Sequence, residues 1–192
     1  MDQNESVNPE KTALVVIDLQ KGIVSMDTKP HASADVISRA AQLAKALRAK
    51  GGPIFWVRVT PSADKKDALA PVTDAPPRSW DMPDDWAELV SELEREENDF
   101  VITKHQWGAF TGTELDLQLR RRGIETIILC GISTSIGVES TARFAYEYGY
   151  NQIFVEDACS ASSQEEHEMS FKTVFPRMGR VRRAEEVLAM LG

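Results

Sequence analysis

Short apolar runs and amphipathic stretches alternate along the whole chain. Residues 12–19 (TALVVIDL) form an apolar run broken only by Asp18, the pattern of a strand buried on both faces. Residues 33–50 place Val36, Ile37, Ala40, Leu43, Ala44 and Leu47 on one helical face, with Ser33 as the expected N-cap and Gly51-Gly52 as the stop. Further strands are expected at 53–59, 100–103, 127–130, 152–155 and, shorter, 180–181. Helices are expected at 86–94, with Trp86, Leu89, Val90 and Leu93 inward, and at 114–122, 163–175 and 184–191. Ser163 and Glu166 make a capping box for the third of these. Another helix follows the Gly131 turn, carries Val138, Ala142, Ala145 and Tyr146, and ends at Gly149.

This alternation predicts a three-layer α/β/α, Rossmann-like fold: about six strands in a mostly parallel sheet, flanked by helices. With 192 residues and 42% hydrophobic content, a single domain over 11–192 is expected, preceded by a loose lead-in at 1–10. Residues 60–83 hold five prolines and no sustained period, so they read as a lid or an oligomer contact.

A net charge of −8 argues against nucleic acid or an anionic membrane as partner. The basic cluster Arg120, Arg121, Arg122 reads as a helix C-terminus before Gly123. No apolar run approaches the roughly 18 residues that span a bilayer, and MDQNESVNPE has no signal-peptide core, so a cytoplasmic protein is expected. Cys130 and Cys159 read as reduced, packed thiols.

The chemistry gathers at strand ends. Asp18 ends the first strand, Lys104 follows the third, and the strand at 127–130 breaks at Gly131 into a turn whose amides, from Ser133 to Gly137, open a helix. Open α/β sheets keep their binding crevices beyond the carboxyl ends of the strands. Taken alone, Asp18 and Lys104 are equally well read as an ion pair that neutralises a buried charge.

Four segments together resemble the isochorismatase-like hydrolases, also called the cysteine hydrolase superfamily: VVIDLQ, ITKHQWGAFTGTEL, CGISTSIGVESTARFAYEYGY and EDACSAS, in the family's order. The resemblance implies a catalytic Asp (Asp18), a Lys (Lys104) and a Cys, whose position here is Gly137. It implies a cis bond between Ile132 and Ser133, and an oxyanion hole from the Ser133 and Gly137 amides. Gln20, Trp107, Phe110, Ser133 and Thr134 are the further candidates for lining the substrate site, Trp107 and Phe110 being equally readable as loop anchors. Without a thiol the family's thioester chemistry is not expected. The family's glycine-bearing members hydrolyse a vinyl ether with the aspartate as general acid, which requires a protonated carboxyl group; burial favours that form and Lys104 opposes it. A catalytically silent ligand-binding homologue is the alternative. A hydroxyl nucleophile among Ser133, Thr134 and Ser135 is disfavoured because no His lies in the motif.

Against the isochorismatases themselves, Ser133 replaces a Tyr and Gln106-Trp107-Gly108 replaces an Arg-Tyr-Ser run, which leaves the substrate open. The partner implied is a small-molecule substrate, in a homodimer or homotetramer. Because His31, His105 and His167 are widely separated, neither a metal nor another cofactor is expected.

Overall fold

The strands β1 (Thr12–Ile17) and β4 (Thr126–Ile132) are hydrogen-bonded neighbours at the centre of the sheet, and nearly every residue in them is buried. That is why both read as unbroken apolar runs. The computed structural model describes residues 6–76 and 81–192. Within them β2 (Ile54–Val59), β3 (Phe100–Lys104), β5 (Asn151–Ser160) and β6 (Arg180–Arg182) complete a parallel sheet in the order β3-β2-β1-β4-β5-β6.

The helices are α1 (Lys21–Val24), α2 (Ser33–Arg48), α3 (Leu115–Arg121), α4 (Glu139–Glu147), α5 (Gln164–Met169) and α6 (Ala184–Leu191). From β1 the chain moves outward through α2 to β2, and from β4 it moves the opposite way through α4 to β5. Right-handed crossovers in opposite directions cover opposite faces, and the strand order reverses between β1 and β4. Open α/β sheets bind ligands beyond such a reversal, and both strands deliver their ends to it.

α2 buries the apolar face expected of it, against β5, β1 and α6. Its N-cap is Ala32, however, not Ser33, whose hydroxyl instead meets that of Thr28 at 3.2 Å. Residues 86–94 do not form a helix. Trp86, Leu89, Val90 and Leu93 are buried as their spacing suggests, but the backbone is tied to α1: Lys21 N donates to Glu88 O at 2.8 Å and Gly22 N to Trp86 O at 3.0 Å. Only a 3₁₀ turn, Ser91–Leu93, remains.

Residues 163–175 also divide, into α5, a π-helical turn Ser170–Val174 and a 3₁₀ turn Phe175–Arg177 containing Pro176. Ser163 does cap α5, its Oγ accepting from Glu166 N at 3.2 Å. Of the expected lead-in, residues 1–5 lie outside the described residues. Val7 is already tied to Met190 O at 3.2 Å, and the Asn8 side chain caps a 3₁₀ turn at Pro9–Lys11. Of the segment 60–83, residues 77–80 likewise lie outside; the described remainder is irregular.

β5 runs five residues beyond its expected end. Leu129 pairs with Phe154 and Gly131 with Cys159, so two steps along β4 match five along β5. The surplus is a bulge that carries Glu156 and Asp157. Asp157 therefore sits inside the strand, where it accepts from Ala184 N at 2.8 Å at the start of α6 and pairs with Arg39 at 3.2 Å.

Candidate active site

Asp18 follows the last residue of β1 with φ of 55°, a left-handed conformation that costs most residues other than glycine and that Asp tolerates better than most. Its amide still donates to Val57 O at 2.9 Å, so the strand ladder holds the kink in place. On the other side β4 closes tightly on β1. A Cβ at Gly131, where φ is 127°, would stand 2.2 Å from Ile17 O, so only glycine fits this approach.

Lys104 is the last residue of β3, two strands from β1 and therefore roughly 10 Å away across the sheet. A long side chain is needed to cross β2, and Lys104 does so: Nζ donates to Asp18 Oδ2 at 2.8 Å and to Gln106 O at 3.1 Å. The two side chains are 1% and 7% exposed, so the pair is desolvated and each charge depends on the other.

The third component arrives from β4. The Ile132–Ser133 peptide is cis, and a π-helical turn, Thr134–Val138, leads into α4. Ser133 O accepts from Ile136 N and Val138 N, each at 3.2 Å. A Cβ built at Gly137 would lie 2.9 Å from Ile17 Cγ2 and 3.2 Å from Asp18 Oδ2. Position 137 thus faces the oxygen that Lys104 holds. Thr141 fixes this turn to the loop after β3, its hydroxyl donating to Gly137 O at 2.7 Å and accepting from Ala109 N at 3.1 Å.

The remaining candidates divide. Gln20 is fully buried and its amide is spent on the backbone: Oε1 accepts from Val59 N at 2.8 Å and Nε2 donates to Val59 O at 3.0 Å. It ties the segment after β1 to the end of β2. Phe110 packs its ring against Tyr148 and Tyr150, the contacts of a loop anchor. Trp107 is 56% exposed, while its carbonyl lies 3.6 Å from the Cβ position of Gly137. Ser133 Oγ is buried without a hydrogen-bond partner among the described residues. A groove of about 170 Å³ runs beside the site, between Thr60, Pro61, Met82 and Trp86. Thr60 N donates to the Lys104 carbonyl at 3.1 Å. A larger one, of about 450 Å³, lies away from this chemistry, between α2 and Glu92 and Glu94.

Both cysteines are fully buried. Burial pushes the Cys130 thiol up to about 12, with the charge of Asp157 adding to the effect, and burial likewise raises Cys159 well above the ordinary thiol range. Neither offers a thiolate.

Two of the three histidines, His31 and His167, converge in space. His31 Nε2 and His167 Nε2 both meet Glu156 Oε1, at 3.0 and 3.2 Å. The hydrogen bond with His167 is the largest influence on Glu156; with His31 it holds the carboxyl down at about 2 against the opposing effect of burial. His167 Nδ1 also meets Thr134 Oγ1 at 2.9 Å, so a His does reach the motif, on a hydroxyl that is itself fully buried. The sequence offered one signal for this cluster, Ser163 capping the helix that carries His167. Its convergence with Glu156 depends on the β5 bulge.

Comparison with known proteins agrees with this geometry. The protein is 52% identical over 185 residues to the uncharacterized isochorismatase family protein YecD of Escherichia coli O157:H7, covering 96% of this chain and 98% of that one. A solved isochorismatase family protein from Burkholderia thailandensis superposes with a TM-score of 0.94 at 45% identity, over 97% of this chain and 98% of that one. An N-carbamoylsarcosine amidase from Thermoplasma acidophilum superposes with a TM-score of 0.73 at 28% identity, over 91% and 97% of the two chains. Residues 12–186 match the Isochorismatase domain, and the chain belongs to the isochorismatase family of hydrolases.

Proposed function

We propose that the protein hydrolyses a small metabolite bearing an enol ether, with Asp18 as proton donor and no covalent enzyme intermediate. The observation that carries this reading is the 3.2 Å between Asp18 Oδ2 and the Cβ position of Gly137. Position 137 faces the acid, and glycine keeps a side chain from standing against Asp18 Oδ2.

The Asp18 carboxyl passes its proton to the terminal carbon of the double bond. The π pair forms the new C–H bond, and the ether-bearing carbon becomes an oxocarbenium ion. Water adds to that carbon and returns a proton to the Asp18 carboxylate. The resulting hemiketal expels the alkoxy group as an alcohol and leaves a ketone. Burial works toward the protonated acid against the pull of the Lys104 ion pair, and Lys104 stabilises the carboxylate as it forms. The amides of Ser133 and Gly137 are the donors for a substrate oxygen in this reading.

An amide substrate is the competing reading, favoured by the resemblance to N-carbamoylsarcosine amidase. The family's amide chemistry uses the thiol that Gly137 lacks, and Cys130 and Cys159 are both buried. The test is to assay the purified protein on isochorismate, simpler enol ethers and a panel of amides, with and without iodoacetamide. Enol-ether turnover that survives iodoacetamide is expected. Turnover confined to amides, or abolished by the reagent, overturns the reading.

A further inference from the structure

We propose that His31, Glu156 and His167 form a binding site for a divalent first-row transition-metal ion of the zinc type. The three ligand atoms lie within 4.8 Å of one another. His31 Nε2 and His167 Nε2 stand 3.0 and 3.2 Å from the same carboxylate oxygen, Glu156 Oε1. Ligands about 2.1 Å from a common ion stand about 3.0–3.4 Å apart in octahedral or tetrahedral geometry, so both edges already have the length that a bound ion requires. Two imidazoles and one carboxylate are a donor set suited to zinc and its neighbours, and three protein ligands leave positions for water.

The surroundings are those of a held site. His167 is 1% exposed, and its Nδ1 is engaged by Thr134 Oγ1 at 2.9 Å, the outer contact that fixes the orientation of a ligating imidazole. The backbone of His31 is pinned at its carbonyl, which accepts from Ser160 Oγ at 2.7 Å and Thr28 Oγ1 at 2.9 Å. Glu156 projects from the β5 bulge, a feature that re-aims side chains at functional sites. Arg183 Nη1 approaches the other carboxylate oxygen, Oε2, at 3.3 Å and leaves Oε1 to the ion. The side chains of His31 and Glu156 are 20% and 26% exposed, which gives an ion a way in.

The cluster is distinct from Asp18 and Lys104, and the proposal does not depend on the reaction they perform. Protein stripped with a chelator is titrated with Zn²⁺ by calorimetry and with Co²⁺ by visible absorption, alongside His31→Ala and Glu156→Gln, with circular dichroism on every sample. The expected result is one Zn²⁺ per wild-type chain, Co²⁺ bands of a nitrogen- and oxygen-ligated ion, and at least about tenfold weaker binding in each folded variant. Wild-type protein that takes up no Zn²⁺ overturns the proposal, even if a variant fails to fold. Uptake unchanged in His31→Ala also overturns it, because the ion is then held elsewhere.

Discussion

Gly137 and Asp18 face each other across the topological switch of the sheet, with 3.2 Å between the carboxylate Oδ2 and the point where a side chain at 137 would begin. The same Cβ would meet Ile17 Cγ2 at 2.9 Å, so Ile17 must give way to any larger residue. Gly137→Ala is expected to cost about 1–3 kcal/mol of stability, as overpacking of a filled core does. It is also expected to lower kcat/KM by crowding the space beside the acid. Urea denaturation and steady-state kinetics on the same preparation check both effects.

Lys104 and Asp18 are too deeply buried for either charge to be removed alone without consequence. Lys104→Met keeps the length of the side chain and leaves Asp18 without its cation. Breaking a buried pair in this way costs about 3–5 kcal/mol, and the equilibrium unfolding midpoint is expected to fall accordingly. An unfolding free energy equal to that of the wild type would mean that Asp18 is neutralised by other means.

The fold was legible to the extent that it depends on local pattern. All six strands and the helices α2, α3, α4 and α6 follow from short apolar runs, from the helical period of 3.6 and from residues such as Gly51 and Gly149, because each of these signals is local. The sheet itself is wholly parallel, where a mostly parallel one was expected. Residues 86–94 failed because their helical spacing of apolar residues is met by a segment whose backbone is committed to Lys21 and Gly22. A buried amide such as that of Gln20 suits a polar site and a strand end alike, and in the fold it bonds the end of β2 at Val59. His31 and His167 are far apart in sequence. What joins them is the register shift between β4 and β5, a property of two strands and not of either alone.

Asp99 makes the low-pH stability of the fold testable. It accepts from Arg48 Nη2 at 2.7 Å, Trp56 Nε1 at 2.9 Å and Glu96 N at 2.9 Å. Burial raises its pKa, but these donors outweigh that effect and hold the carboxyl below the ordinary range. A group depressed on folding stabilises the protein above its unfolded pKa, about 3.9 for Asp, and loses that contribution as the pH falls through the folded value. The stability gap between wild type and Asp99→Asn is therefore expected to be widest near neutrality and to shrink below about pH 4, as followed by urea melts across the range. A gap that widens on acidification would reverse the sign of this account.

The assignment of Asp18 as proton donor is tested most directly by the rate of enol-ether hydrolysis in H₂O and D₂O, for wild type and for folded Asp18→Asn. The account predicts distinctly slower wild-type turnover in D₂O, because a proton moves to carbon in the limiting step, and a loss of at least about 100-fold in Asp18→Asn. Hydrolysis by Asp18→Asn at the wild-type rate, with no difference between the two solvents, would contradict it.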